Sequence, residues 1–200
     1  YTRNHILKDY GFFLKNKTIV IYNGIETSVF VKRTKENKNR FVVCSHLRES
    51  KGIQDLLQAL SVLKNEIKNQ IHIDIYGEGP FEKELVALSN HLDLNQIVFF
   101  KGSTANLHQV LANYSYLLQP TYMECFSLSI LESLAANVPV ITTTVGGNLE
   151  IIEHNKNGFI FEPKDFLALS AILNQLVLGN LNCDQDVSLQ VQNDFNLEKM

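Results

Sequence analysis

Short runs of β-branched residues alternate with longer helical patterns along nearly the whole chain, and this alternation constrains the fold most strongly. The runs predict strands at residues 18–22, 41–45, 71–76, 97–100, 116–119, 138–142 and 158–161. The segments between them predict helices at residues 53–68, 81–92, 107–113, 126–136 and 166–178. Such alternation is typical of a parallel sheet. Because several runs are apolar on both sides, we predict an α/β fold with a parallel sheet and helices on both faces.

Composition limits the functions that such a fold can serve here. With 200 residues, of which 45% are hydrophobic and 20% charged, the chain fits one domain, or one domain with part of another. The net charge of −3 argues against a nucleic-acid surface. Cys44, Cys125 and Cys183 include no CxxC pair, so we expect no metal site and no disulfide, and a reducing cytoplasm. No apolar run approaches the roughly 20 residues that span a bilayer, and the sequence shows no signal-peptide pattern.

Candidate ligand-binding residues follow the predicted strands, since open parallel sheets bind ligands beyond the carboxyl ends of their strands. The segment HLRESKG at 46–52 places His46, Arg48 and Lys51 ahead of Gly52 and a helix. A cationic loop that runs into a helix N-terminus suits an anion, because free backbone N–H groups and the helix dipole favour negative charge there. The alternative is a capped helix with solvated charges.

Glycine turns follow two other predicted strands. Gly77 and Gly79 in GEGP permit positive φ and close backbone approach, as do Gly146 and Gly147 ahead of a short helix that Asn148 would cap. Each turn alone is a weak signal, because an ordinary strand-to-helix connection has the same residues. Neither is a G-x-G-x-x-G fingerprint.

The stretch ECFSLSILE at 124–132 holds two carboxylates in an otherwise uncharged region. Between Gly102 and Leu149, Glu124 and Glu132 are the only Asp, Glu, Lys or Arg residues. On a helix, Glu132 shares a face with small and apolar residues, where a carboxylate needs a partner. It either forms a hydrogen bond with a neighbouring loop or accepts hydrogen bonds from the hydroxyls of a polyol such as ribose. Glu124 lies in the preceding loop, where its alternative role is a helix cap.

Together these segments resemble the C-terminal half of retaining GT-B glycosyltransferases, glycosyltransferase family 4. The order is KG, G-E-G-P, F-K-G, P-x-x-x-E-x7-E, P-V-I, G-G-x-x-E and N-G. The matching segments are NGIE at 23–26, SKGIQDLLQAL at 50–60, IYGEGP at 75–80, FFKG at 99–102, LLQPTYMECFSLSILESLAANVPVITTTVGGNLEII at 117–152 and NGFIFEP at 157–163. The resemblance covers nearly the whole chain from about residue 18, and the E-x7-E helix is its most specific part.

The resemblance implies a Rossmann-like domain that binds a nucleotide-diphosphate sugar. Glu132 would accept hydrogen bonds from the ribose, Glu124 would contact hydroxyls of the donor sugar, and Lys51 would pair with the diphosphate. Backbone N–H groups at the start of the helix would meet the donor, and two glycine turns would line the base pocket. The backbone N–H groups are those of Phe126, Ser127 and Leu128. The glycine turns are 77–80, which contains Gly77 and Gly79, and 100–102, which contains Gly102. No metal or other cofactor is implied.

Two departures from the family pattern affect the site. His46 stands where the family usually has Arg, and Arg48 could substitute, so either side chain is a candidate for the phosphate contact. Cys125 and Ser127 replace the two glycines of the common E-G-F-G sequence, which predicts a different loop shape or sugar preference. Cys125 is disfavoured as a nucleophile, because no base lies beside it in sequence.

The resemblance also implies a truncated protein, with which the missing initiator Met agrees. Residues 1–30 would be the last helix and strand of an N-terminal acceptor domain with its linker, 31–180 the nucleotide-sugar-binding domain, and 181–200 the start of a helix that returns to the missing domain. We expect the chain to bind donor but to transfer sugar poorly or not at all.

The expected reaction is transfer from a UDP- or GDP-linked sugar to a hydroxyl, with retention, in polysaccharide or glycolipid assembly. The acceptor would be a glycan or a lipid-linked molecule bound through the missing domain, in the cytoplasm or peripherally at the inner face of the membrane. The alternative is a non-catalytic nucleotide-sugar-binding module of the same fold. An epimerase or dehydrogenase is disfavoured, because no strand is followed by G-x-G-x-x-G.

Overall fold

A six-stranded parallel sheet forms the centre of the fold. The computed structural model describes residues 2–34, 38–183 and 186–199. The strands are β1 Arg40–Cys44, β2 His72–Tyr76, β3 Val98–Gly102, β4 Tyr116–Gln119, β5 Val140–Thr143 and β6 Gly158–Phe161. All neighbours pair in parallel, in the order β3-β2-β1-β4-β5-β6. The predicted Rossmann-like parallel sheet is therefore confirmed.

The strand predicted at residues 18–22 is wrong. This segment is extended, but it joins no strand of the described sheet. Its side chains are open to solvent, with Ile19 at 84% and Ile21 at 78% exposure. A β-branched run forms a strand only where a neighbour satisfies its backbone N–H and C=O groups, and no strand among the described residues pairs with this segment.

The α-helices connect the strands and also precede β1 and follow β6. They are α1 Thr2–Tyr10, α2 Ile53–Ser61, α3 Asn65–Lys68, α4 Glu82–His91, α5 Leu107–Val110, α6 Leu128–Ala135, α7 Asn148–Ile151, α8 Phe166–Val177 and α9 Ser188–Asp194. Four of the five predicted helices are present, and α5 continues into a 3₁₀ turn at Leu111–Asn113. Within the described ranges, no helix has the length and apolarity required to cross a membrane.

The single helix predicted at residues 53–68 is wrong, because the chain breaks it into α2 and α3. The Ser61 hydroxyl donates to the Gln58 carbonyl oxygen at 2.8 Å and so competes with the helical backbone pattern. Lys64 is extended, and a new turn starts after it. The break lets both Leu63 and Ile67 remain buried in the same core.

The sheet carries a hydrophobic core on each face, because successive side chains of a strand point in opposite directions. Phe41 and Val43 of β1 join one core, which α2, α4 and α8 cover. Val42 and Cys44 join the other core, which α6 and α9 cover. The prediction of helices on both faces is confirmed.

The segments before β1 and after α9 lie side by side. The Ile25 N–H donates to the Phe195 carbonyl oxygen at 2.9 Å, and the Leu197 N–H donates to the Ile25 carbonyl oxygen at 3.1 Å. Val187, Val191 and Phe195 are buried in the core that α6 covers. Residue 25 and residues 187–197 thus pack onto the sheet domain, whereas the predicted boundaries at 30 and 181 stay predictions.

Candidate functional site

The strand order places two loops together at the carboxyl ends of β1 and β4. The chain leaves β1 toward β2 and leaves β4 toward β5, so a crevice opens between these central strands. The Tyr122 N–H donates to the Ser50 carbonyl oxygen at 2.8 Å, and the Thr121 hydroxyl donates to the same oxygen at 3.2 Å. Gly52 permits this approach, because a Cβ there would overlap the Pro120 carbonyl oxygen.

An ion pair lies across the crevice. Lys51 Nζ is 2.9 Å from Glu124 Oε2, and the two side chains are 22% and 18% exposed. The Cys125 N–H donates to Glu124 Oε1 at 3.1 Å. Partial burial reduces solvent screening of this pair relative to a fully exposed one. The ion pair thus joins Lys51 and Glu124, two predicted site residues that lie in different loops.

Gln119 is a member of this site that sequence reasoning missed. It ends β4, it is 5% exposed, and its Nε2 donates to Glu124 Oε2 at 3.3 Å and to Ser127 Oγ at 2.9 Å. The signal in the sequence was a polar residue at the end of an otherwise apolar strand.

Ser127 caps helix α6. Its Oγ accepts a hydrogen bond from the Ile130 N–H at 3.3 Å, which is the usual bond of an N-cap serine. The helix therefore begins at Leu128, two residues after the predicted start. Glu124 as a helix cap is wrong, because its carboxylate turns toward Lys51 instead.

Buried polar contacts fix the end of β5 against the loop after β4. The Thr143 hydroxyl donates to the Thr121 carbonyl oxygen at 2.7 Å, and the Thr142 hydroxyl donates to the Gln119 carbonyl oxygen at 3.0 Å. The prediction that Asn148 caps the short helix is wrong. Asn148 is fully buried inside α7, and its Nδ2 donates to Thr142 Oγ1 at 3.0 Å.

Glu132 lies half-buried on α6 near the end of β1. No donor among the described residues hydrogen-bonds to its carboxylate. Burial raises its pKa, because the charged form loses hydration. Its charge in turn adds to burial in raising the pKa of the Cys44 thiol. A hydrogen bond from the Glu132 carboxylate to a nearby loop, which was the structural alternative, does not occur among the described residues.

Glycines bring backbone segments together around the crevice. A Cβ on Gly146 would overlap the Glu124 carbonyl oxygen, and one on Gly77 would overlap the Ser45 carbonyl oxygen. Gly79 approaches the loop after β1 in the same way. Gly102 has φ +67° but more open surroundings, so its backbone conformation alone favours glycine.

Other predicted site residues have exposed side chains or point elsewhere. His46, Arg48 and Cys125 are exposed, and none of these side chains forms an ion pair or hydrogen bond with a described residue. The ring of Phe126 packs on Tyr22 and Phe195, with centroids 5.2 and 5.6 Å away, which leaves its backbone for the site. No group of three or more His, Cys, Asp or Glu side chains in the described ranges could hold a metal ion.

Comparison with known proteins agrees with this architecture. A family model described as glycosyl transferases group 1 matches residues 24–188. The N-acetyl-alpha-D-glucosaminyl L-malate synthase of Bacillus anthracis is 30% identical over 161 residues, which are 75% of this chain and 42% of that protein. The lipopolysaccharide 1,6-galactosyltransferase of Escherichia coli K12 is 24% identical over 84% of this chain and 48% of its own length. The chain thus spans less than half the length of these curated relatives.

A solved structure shares the fold. The Anabaena protein HepE, in a complex with UDP and glucose, superposes with a TM-score of 0.80 at 23% sequence identity. The match covers 91% of this chain and 54% of that one. At this identity the likeness establishes the architecture, including the parallel sheet and its covering helices.

Proposed function

Because the chain belongs to the glycosyl transferases group 1 family, we propose that it is the donor-binding half of a GT-B glycosyltransferase of family 4. The proposed reaction transfers a hexosyl group from a UDP- or GDP-linked sugar to a hydroxyl acceptor, with retention of the anomeric configuration. The Lys51–Glu124 pair at the strand-order reversal, with Glu132 on the adjoining helix, is the observation that carries this proposal.

The hydrogen-bonding capacity of this pair leaves room for a donor. Lys51 has three N–H donors and gives one to Glu124, so two remain for oxygens of a diphosphate. The Glu124 carboxylate has about four acceptor positions, of which Lys51, Gln119 and the Cys125 N–H use three. One position remains for a sugar hydroxyl. The pair can thus hold both sides of a sugar–phosphate bond at once.

Glu132 is suited to a ribose because both of its oxygens are free of protein donors in the described structure. A half-buried carboxylate without a partner is unfavourable, and two vicinal hydroxyls would supply the missing hydrogen bonds. Ribose binding would therefore relieve a cost that the ligand-free protein carries.

Lys51 and the start of α6 would stabilise the phosphate charge that grows as the sugar leaves. The N–H groups of Phe126, Ser127 and Leu128, just before and at the start of α6, have no acceptor within the helix and favour an anion. His46 and Arg48 remain candidates for a second cationic contact. The turns at Gly77, Gly79 and Gly102 would line the base pocket. This assignment requires no metal ion, because cationic side chains and backbone N–H groups meet the diphosphate.

We place the reaction in polysaccharide or glycolipid assembly, on the analogy of the lipopolysaccharide galactosyltransferase. The acceptor would be a glycan or lipid-linked hydroxyl held by a second domain. The three cysteines Cys44, Cys125 and Cys183, which include no CxxC pair, favour a cytoplasmic location. A lipid-linked acceptor would add peripheral contact with the inner face of a membrane.

Calorimetric titration tests the donor site. This chain is titrated with UDP, GDP, UDP-glucose and GDP-mannose, alongside Glu132→Ala and the matched control Glu84→Ala on the exposed surface of α4. Saturable binding of one nucleotide class is expected, weakened at least about tenfold by Glu132→Ala, because a charge-assisted hydrogen bond contributes about 1.5–3 kcal/mol. Equal affinity in Glu132→Ala and Glu84→Ala would refute the ribose assignment.

A transfer assay separates enzyme from binding module. The chain alone is expected to show little turnover, and a protein that includes an acceptor domain is expected to form product whose anomeric configuration, read by NMR, matches the donor. Donor binding without turnover in that longer protein would instead favour a non-catalytic module.

A further inference from the structure

We propose that Gln119 is a positioning residue that orients Glu124 and thereby makes the site prefer a nucleotide sugar over the free nucleoside diphosphate. This inference rests on the proposed function, because it assigns Glu124 to the sugar. Gln119 lies at the end of β4, where its backbone is fixed in the sheet by pairing with Thr142 of β5. Its side chain is 5% exposed and points to the loop that carries Glu124.

The direction of the Gln119 amide is fixed by charge. Its Nε2 faces the Glu124 carboxylate at 3.3 Å and Ser127 Oγ at 2.9 Å. The opposite orientation would place the amide oxygen against the carboxylate, and both groups are acceptors. The amide oxygen has no partner in the described structure, so burial of this side chain carries a cost that the two donated bonds must offset.

The Ser127 hydroxyl connects this amide to the helix. Ser127 Oγ accepts from the Gln119 Nε2 and from the Ile130 N–H, and it is 3% exposed. The single donor nitrogen of Gln119 therefore ties three elements together: the end of β4, the N-cap of α6 and the carboxylate in the loop between them. Cys125 stands between Glu124 and this cap but contributes only its N–H.

The need for a second donor follows from the role proposed for Lys51. In the ligand-free protein, Lys51 and Gln119 both reach Glu124 Oε2. A bound diphosphate would compete for the Lys51 ammonium, since phosphate oxygens are strong acceptors of charged donors. Gln119 is neutral and buried, so a phosphate would not draw it away. It would keep the carboxylate in place for the sugar hydroxyl while Lys51 is shared.

A purely structural role for Gln119 makes a different prediction. If Gln119 only maintained the loop and the α6 N-terminus, its loss would weaken the binding of nucleoside diphosphate and nucleotide sugar alike, because both need the phosphate contacts. If it orients Glu124, its loss would weaken only the ligand that carries the sugar. The ratio of the two affinities therefore separates positioning from structural support.

The test compares Gln119→Met, which keeps length and removes the donor, with the unaltered chain. Dissociation constants are measured for UDP, UDP-glucose, GDP and GDP-mannose. In the nucleotide class that binds, we expect about a tenfold loss for the sugar conjugate and less than about a twofold change for the free diphosphate. In a Glu124→Gln background, Gln119→Met should cause no further loss, since neighbouring groups that act as a unit are not additive. Equal loss for both ligands, no loss, or full additivity would overturn the proposal.

A second measurement does not depend on ligand binding or on the folding of the methionine variant. The Gln119 side-chain NH₂ resonance is recorded by ¹H–¹⁵N NMR in the ligand-free chain and in Glu124→Gln and Glu132→Gln. Only Glu124→Gln is expected to shift it; an unmoved resonance would refute the coupling. Failure of the unaltered chain to bind any of the four ligands would refute the proposed function and the ligand preference, while this resonance would still decide whether Gln119 orients Glu124.

Discussion

Lys51 Nζ lies 2.9 Å from Glu124 Oε2 across 73 residues of sequence. The contact joins the loops that follow β1 and β4, the two strands between which the sheet reverses its order. It forms because short hydrogen bonds between those loops, such as the one from Tyr122 to Ser50, hold the two chain segments at a fixed distance. The contact between Lys51 and Glu124 therefore depends on the order of the strands in the sheet.

Replacement of Lys51 by Ala should weaken nucleoside diphosphate binding by about 10- to 100-fold, because charged hydrogen bonds to phosphate contribute about 1.5–3 kcal/mol. The free energy of unfolding should change by less than about 1 kcal/mol, the usual contribution of a partly exposed ion pair. Calorimetry and urea unfolding measure the two quantities. Lys83→Ala, on the exposed surface of α4, is the matched control. Undiminished binding in Lys51→Ala would exclude a phosphate contact.

Replacement of Glu132 by Gln should stabilise the ligand-free protein at neutral pH, although it should weaken ribose recognition. Burial raises the Glu132 pKa above its unfolded value, so the folded state binds more protons between those values and this group's contribution to stability falls as pH rises through them. The substitution removes that penalty, by about 0.5–1 kcal/mol. The gain should disappear below the ordinary glutamate pKa, where the carboxyl is neutral in both states.

Thermal unfolding of the unaltered chain and of Glu132→Gln tests this pH dependence of stability. The measurements run from about pH 3.5 to about pH 7.5, a range chosen around the ordinary glutamate pKa of about 4.3. A Glu132→Gln variant that is less stable than the unaltered chain at neutral pH would show that the carboxylate has a stabilising partner.

Replacement of Gly146 by Ala should be far more costly than replacement of Gly179, although both have positive φ of +60° and +75°. Gly179 has open space where the Cβ would go, so only the backbone penalty of about 1–2 kcal/mol applies. At Gly146 the Cβ would overlap the Glu124 carbonyl oxygen, which adds about 1–3 kcal/mol or displaces Glu124. Urea unfolding and nucleotide-sugar titration of both variants measure the difference. Equal stability and binding in the two variants would contradict the close approach.

Replacement of Tyr114 by Phe should lower stability and leave ligand binding unchanged. The Tyr114 hydroxyl donates to the buried Asp74 carboxylate at 2.7 Å, and Arg40 and His72 contact the same oxygen. Loss of one donor to a buried charge should cost about 1.5–3 kcal/mol. Tyr10→Phe, at an exposed position, serves as the control in urea unfolding. A Tyr114→Phe protein as stable as this control would show that Arg40 and His72 suffice.

The sequence predicts the sheet well because buried parallel strands are marked by short apolar runs, and six of the seven predictions are confirmed. Residues 18–22 carry the same pattern, but no strand among the described residues pairs with them, and a local run contains no information about its partner. The break between α2 and α3 was missed for a similar reason, since periodicity continues across it while the Ser61 hydroxyl interrupts the backbone bonds.

The arrangement of the candidate site can be predicted from the sequence only in part. Position after a strand identified Lys51 and Glu124, but not that they touch, because contact depends on strand order. The sequence places Gln119 at the end of a strand, but its contacts depend on the direction of its side chain, which the sequence pattern does not specify. Ser127 caps α6, whereas the Glu124 carboxylate contacts Lys51. The sequence pattern does not distinguish these two roles, because both residues lie shortly before the helix.

The pairing of Ile25 with residues 195–197 has a topological consequence. Residue 25 and residues 195–197 lie at neighbouring points, so the sheet and the crevice, which are built from the residues between them, form a closed circuit of chain. Such a circuit can be transplanted into another protein with two adjacent cuts, or reopened at a distant exposed turn such as Gly179, without separating any of the residues that meet at the ion pair. All residues of the candidate site therefore lie within one stretch of chain whose two ends are adjacent, so they can be moved together.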